Sequence, residues 1–252
     1  QEWNSTPNSE EVLNTIPTLS IKDLEPKIEK IPTKELKENG IRTLHHPLFT
    51  NGVGFLSLYF DSSTVKQDQI PYIKLLSQIL GKINTEKYDY TKLPIEQAMY
   101  TGGIRYSTPV IIKSGSTDIY YPKFTVSSYS TKENIPKMLE LMAEEIANSN
   151  FDDKERLKQL ISNIKSNIET ELNSNPVNSG VIRNLSYFSP AYKYSDNLLG
   201  LSYYDFIIDL DKNFDKKYDE IIKNLEEVKD TILNRKNMLI TFTGEQEEYN
   251  TF

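Results

Sequence analysis

Apolar and polar positions change period several times along this chain, and each change marks an element. Val53 to Phe60 is an almost unbroken apolar run, the pattern of a strand buried on both sides by its neighbours. Ile41 to His46 precedes it as a second strand, across a turn from Pro47 to Gly52. The period then becomes helical: Ile73, Leu76 and Leu80, with Leu75 and Ile79, cover more than one face of a helix that begins near Ile70-Pro71. Asp68 is placed to cap that helix and Gly81 to stop it. A shorter helix follows from about Pro94 to Tyr100 and ends at Gly102-Gly103.

Ile104 to Ile112 and Ile119 to Ser130 read as a hairpin joined by Ser114-Gly115-Ser116, with Pro109 and Pro122 marking edges or bulges. Ile135, Met138, Leu139, Met142 and Ile146 return to helical spacing. So do Leu157, Leu160, Ile161, Ile164, Ile168 and Leu172, on a long helix started by Asp152 or Asp153. Asn175-Pro176 opens a short helix that Ser189-Pro190 interrupts, and Leu199 to Leu210 and Phe214 to Leu233 are two more. Met238 to Thr243 is a closing strand. Two strands, two helices, a hairpin, a run of helices and a last strand fit the α+β class, a mixed and mostly antiparallel sheet with helices packed on it.

Residues 1–38 differ from the rest. Pro7, Pro17, Pro26 and Pro32 sit among charges and short apolar islands, which forbids a long helix and predicts an arm or linker. The expected division is therefore 1–38 as linker and 39–252 as one α+β domain. The polar start Gln1-Glu2-Trp3-Asn4 is not a signal peptide, and the chain reads as a piece of a longer protein.

Composition narrows the chemistry. A formal charge of −7 argues against a nucleic-acid backbone or an anionic membrane as main partner. No apolar run approaches the roughly 20 residues of a membrane span. The absence of cysteine removes disulfides, thiolate nucleophiles and Cys-ligated metals.

One stretch carries a resemblance. Thr50-Asn51-Gly52-Val53-Gly54-Phe55, the helix Tyr72 to Leu80, Thr85-Glu86-Lys87-Tyr88 and Tyr100-Thr101-Gly102-Gly103-Ile104 follow one another in an order that resembles a repeat unit of the pitrilysin/insulinase-type zinc metallopeptidases. The similarity is to the branch containing presequence protease and falcilysin, and it extends from Ile16-Pro17-Thr18-Leu19 to about Gly244. It implies a metallopeptidase-repeat fold like that of mitochondrial processing peptidase. In the family's catalytic repeat this helix carries His-x-x-Glu-His. Aligned on Gly81, the corresponding positions here are Tyr72, Leu75 and Leu76; aligned on Asn84, they are Leu75, Gln78 and Ile79. Neither set binds zinc or holds a general base.

The resemblance therefore implies a degenerate, non-catalytic half, with no cofactor in this piece and zinc in the parent protein. Its implied partners are an N-terminal catalytic half and a C-terminal domain of the same polypeptide, together with unfolded peptide substrates. The alternative is a stand-alone binding or scaffold protein on the same degenerate fold.

No catalytic, cofactor or metal residue emerges from the remaining side chains. His45 and His46 are the only histidines, and as neighbours on a strand they point to opposite faces. Glu144-Glu145, Glu226-Glu227 and Glu245 to Glu248 are expected on solvated helix faces and at an exposed terminus. Asp61-Ser62-Ser63-Thr64 and Ser114-Gly115-Ser116 look like turns. The 16 tyrosines are expected mainly at the edges of the core, with a peptide-binding wall as the sharper reading. Arg183 and Tyr187 receive no role.

Overall fold

In the computed structural model, residues 5, 7–24, 30–116 and 118–252 are described. Contacts divide the chain into two units, Gln1–Ile31 and Pro32–Phe252.

In the first unit, helix α1 (Glu10–Leu13) is capped by Ser9, whose hydroxyl accepts from the Val12 amide at 3.4 Å. A 3₁₀ turn at Ile21–Asp23 is held by Asp23, whose carboxylate accepts the Ser20 amide at 2.7 Å. Short capped turns between prolines are what the composition of this stretch allows.

The second unit is built on seven strands: β1 (Lys34–Glu38), β2 (Ile41–His46), β3 (Val53–Asp61), β4 (Arg105–Ser107), β5 (Val110–Ile112), β6 (Tyr120–Thr131) and β7 (Met238–Thr243). Their order is β1-β2-β7-β3-β6-β4, with β5 beside β6. Only β2–β7 is parallel among these pairs. The sheet is thus mixed and mostly antiparallel, as the order of elements predicts. β4 and β5 are one edge strand broken at Pro109, whose carbonyl accepts from the Lys123 amide at 2.9 Å.

The helices are α2 (Ile70–Ile79), α3 (Leu93–Tyr100), α4 (Ile135–Ala147), α5 (Lys154–Ser174), α6 (Pro176–Leu185), α7 (Pro190–Leu199), α8 (Leu201–Ile232) and α9 (Gln246–Thr251). Proline stands in the first turn of α2, α3, α4, α6 and α7, where its missing N–H has no partner to lose. α2 and α4 begin alike: a 3₁₀ turn leaves the end of β3 or β6 and passes into Ile-Pro, at Ile70-Pro71 and Ile135-Pro136. Both helices come from neighbouring strands and share one core with them.

Every sheet residue in that core lies on the same face. Leu56 and Phe60 on β3, Phe124 and Val126 on β6, and Ile240 and Phe242 on β7 meet Ile73, Leu76 and Ile79 of α2 and Met138 and Met142 of α4. Pairing Leu56↔Phe242, Leu58↔Ile240 and Phe60↔Phe124 keeps these positions in register across three strands. α5 to α8 extend the same core through Leu157, Ile161, Leu198, Ile207, Phe214 and Ile221.

Several elements depart from the sequence reading. Lys34–Glu38, placed in the arm, pairs antiparallel with β2 across the Asn39-Gly40 turn; its Lys-Glu-rich composition suits a solvated edge strand. Asp68 does not cap α2: it sits inside the 3₁₀ turn, and Gln69 takes the cap position without a side-chain bond. Asp153 does cap α5, accepting from the Arg156 amide at 3.0 Å. The two helices expected after Leu199 are one, α8, bent at Asn213 (φ −110°, ψ 18°). The stretch read as an exposed acidic terminus forms α9, and Glu248 within it is buried.

Candidate functional site

The positions where the catalytic repeat of the resembling family carries zinc ligands lie in the middle of the core. Leu75, Leu76 and Ile79 are fully buried and Tyr72 nearly so. Burial, with the charge of Glu220 adding, pushes the Tyr72 hydroxyl up to about 12. Gln78 accepts a hydrogen bond from Tyr203. These groups offer apolar surface and one amide, so the donor set does not fit a zinc ion. Among the described residues, no three His, Asp or Glu side chains gather where they could hold a metal.

The histidines separate as strand alternation requires. His45 is buried on the core face, its Nε2 3.0 Å from the Gly244 carbonyl oxygen and its ring stacked on Tyr249 at 4.1 Å. His46 faces the other way, half-buried, with Nδ1 3.0 Å from the Thr33 hydroxyl.

The acidic pair expected in solvent is not there. Glu145 is fully buried and Glu144 nearly so. Glu145 accepts from the Tyr106 hydroxyl and the Gln97 amide, both at 2.6 Å, and so ties α4 to β4 and α3. Burial raises its carboxyl above the ordinary value, against the pull of those two donors. Glu144 accepts the Lys87 amide at 2.7 Å. Helix periodicity missed both, because polar partners from distant segments close over that side of α4. The sequence signal was Gln97, Tyr106 and Lys87, which become partners only in three dimensions.

The hydroxyl-rich stretches are turns: Asp61 accepts the Ser63 amide at 2.8 Å, and Ser116 N–H donates to Lys113 at 3.0 Å. Most of the tyrosines with assigned contacts are structural. Tyr194 donates to the Ser62 carbonyl at 3.1 Å, and Tyr218 to that of Asp152 at 2.8 Å. Arg183 pairs with buried Asp196 at 3.3 Å, while Tyr187 is exposed.

What remains is a surface. The sheet positions that alternate with the core residues form a second face, and none of them belongs to the core. Across β7, β3 and β6 its middle is lined with hydroxyls: Thr241, Ser57 and Ser127 are in register, flanked by Thr243 and Thr125. Aromatic rings border it. Phe55 and Tyr129, directly opposite each other, stack at 5.4 Å and are 43% and 37% exposed; Tyr121, at the far end of β6, is 46% exposed. Lys123 and Asp61 close one end as an ion pair at 2.9 Å.

The double glycine shapes the aromatic border. The Gly102 amide donates to the Tyr129 carbonyl at 2.8 Å, and a Cβ on Gly102 would stand 2.0 Å from the Tyr129 ring. Gly103 follows at φ +91°, a conformation that side chains resist. Only this dipeptide lets the chain leave α3 while lying flat beneath the ring.

Comparison with known proteins agrees with this division into a packed face and a bare one. The fold is that of the non-catalytic M16 peptidase domains. It superposes on the peptidase M16 inactive domain from Pseudomonas fluorescens with a TM-score of 0.57 at 12% identity, over 87% of this chain and 48% of that one. A conserved protein from Enterococcus faecalis V583 gives 0.60 at 12% identity, over 86% and 50%. The model of the peptidase-associated family of M16 peptidases, subfamily C, matches residues 1–210, and the chain belongs to that family.

Protein HypA of Clostridium perfringens (strain 13 / Type A) is 35% identical over 252 residues, all of this chain and 26% of that protein. Presequence protease 1, chloroplastic/mitochondrial, of Arabidopsis thaliana is 26% identical over 240 residues, 95% of this chain and 22% of that protein. The chain thus spans about a quarter of the length of these curated relatives.

Proposed function

We propose that this chain is the non-catalytic half of a presequence-protease-like zinc metalloendopeptidase, where it forms part of the wall that encloses an unfolded peptide. The observation that carries the reading is the helix-free sheet face. Hydroxyls spaced along β-strands, with rings at the margin, suit an extended peptide: they offer hydrogen bonds and apolar contact without demanding one side-chain sequence. The strand interior beneath is fully paired, so the peptide meets side chains and not a sheet edge.

The metal and the base that activates its water belong, in this reading, to another part of the same polypeptide, since the Tyr72 to Leu80 helix is committed to packing. Division of labour follows: the catalytic half cleaves, and this half confines. Family membership supports the association with a peptidase, and the similarity to Presequence protease 1 supports the substrate class.

The test uses the longer polypeptide and the 252-residue chain side by side. The longer protein should cleave unfolded peptides in a chelator-sensitive way, while the chain alone neither retains stoichiometric zinc nor hydrolyses peptide. Stoichiometric zinc, or chelator-sensitive cleavage by the chain alone, defeats the proposal.

A further inference from the structure

The core face of the sheet is not covered along its whole width. Over β2, β7 and β3 an apolar groove of about 810 Å³ remains, floored by Ile41, Leu58 and Ile240 and walled by Leu139 and Ile146 of α4. Packed interiors tolerate few voids larger than a water molecule, so a hollow of this size in a core layer calls for an occupant. Its polar margin is already paired. Glu38 accepts from the Tyr249 hydroxyl at 2.9 Å, the Arg235 guanidinium donates to the Asn39 carbonyl, and the Asn234 amide donates to Thr231 at 3.0 Å. Few convergent polar groups are left to orient a small polar ligand, and the strands below have no unpaired backbone for an added strand. The shape and chemistry suit the apolar stripe of a helix.

α9 supplies the direction. After Gly244 the chain turns back along β7. A Cβ on Gly244 would meet Glu248 at 3.4 Å, and Phe252 stacks on Phe242 at 5.1 Å. Four residues of helix, about 6 Å, therefore match two residues of strand, about 6.6 Å. Tyr249 and Phe252 already fill the near end of the groove in helical register. Continued at the same pitch, helix positions about four and eight residues past Phe252 fall over Ile240 and Met238.

We propose that the groove is the seat of a longer α9: the polypeptide following Phe252 continues this helix antiparallel to β7 and lays an apolar stripe over Ile240 and Met238. Protein HypA, of which this chain matches 26%, has ample polypeptide outside the matched region. The occupant is thus a segment of the same chain, and the groove is an intramolecular joint rather than a ligand pocket.

The absence of cysteine makes the test simple, because one introduced thiol reports one place. Ala143 and Ala147 line the groove from α4 and are exposed, so Ala143→Cys and Ala147→Cys perturb little packing. Each is made in the 252-residue chain and in a chain extended by about 20 residues of its own reading frame, and the rate of maleimide labelling is measured. Exposed Ser63, away from the groove, gives the control Ser63→Cys. The extended chain should label at least about tenfold more slowly at both groove positions and at an unchanged rate at the control. Equal rates in the two lengths overturn the proposal. So does labelling of the 252-residue chain that slows as its concentration rises, which assigns the groove to a second copy.

Discussion

The two faces of one sheet are made from the same strands, yet they do different work. On β6, Phe124 and Val126 point into the core and are fully buried, while the intervening Thr125 and the next residue, Ser127, point to the other side. One face is a packing surface that α2 and α4 complete. The other carries small hydroxyl residues and half-exposed rings, and no core residue joins it. A sheet closed by helices on one side only keeps its stability on that side and leaves the other available for contact. The comparison teaches where to look for function in a domain without catalytic chemistry.

The difference should appear first in stability. Phe124→Ala empties a fully buried site and should cost about 3–5 kcal/mol in denaturant unfolding. A loss below about 1 kcal/mol would show that the covered face is not the one that holds the fold together. Gly102→Ala tests the border between the faces. Its Cβ would displace the Tyr129 ring, at a cost of about 1–3 kcal/mol. In a Tyr129→Ala background most of that cost should vanish, and additive losses would reject the contact as its source.

A pH experiment separates a buried carboxyl from solvated ones. The folded chain holds the Glu145 proton more tightly than the unfolded chain, whose carboxyl titrates near 4.5. The favourable contribution is therefore present below about that pH and declines as pH rises through the higher folded value. Stability of Glu145→Gln, followed by urea unfolding from about pH 4 to about pH 8, should lack this decline. Parallel curves for variant and parent sequence would mean that Glu145 does not titrate as a buried group. The smallest effect belongs to the bare face: Ser127→Ala should change stability by no more than about 0.5 kcal/mol.

Much of the covered face was legible in the sequence, because an unbroken apolar run from Val53 to Phe60 and the two-sided apolar pattern of Tyr72 to Leu80 leave few ways to pack. Strand alternation also sent His45 and His46 to opposite faces. The bare face was not legible. Phe55 and Tyr59 have the composition of core residues, and only register with Tyr129 and Thr125 shows that they lie away from the core. Strand β1 was hidden because Lys34 to Glu38 has the composition of a linker and becomes a strand by pairing with Ile41 to His45. Glu144 and Glu145 were misread for a similar reason: a helical period reports which side of α4 meets the sheet and says nothing of Gln97, Tyr106 and Lys87 arriving from elsewhere.

The most direct measurement places bulk and charge on the bare face of the longer enzyme. Thr241→Arg and Ser57→Arg stand at adjacent, paired positions in the hydroxyl stripe. If this face meets the peptide, each should raise KM for an unfolded peptide at least about tenfold while kcat changes little, the signature of lost uniform binding. Unfolding of the isolated chain should be nearly unchanged in both variants. An unaltered KM in the two variants would contradict the assignment of this face to the peptide.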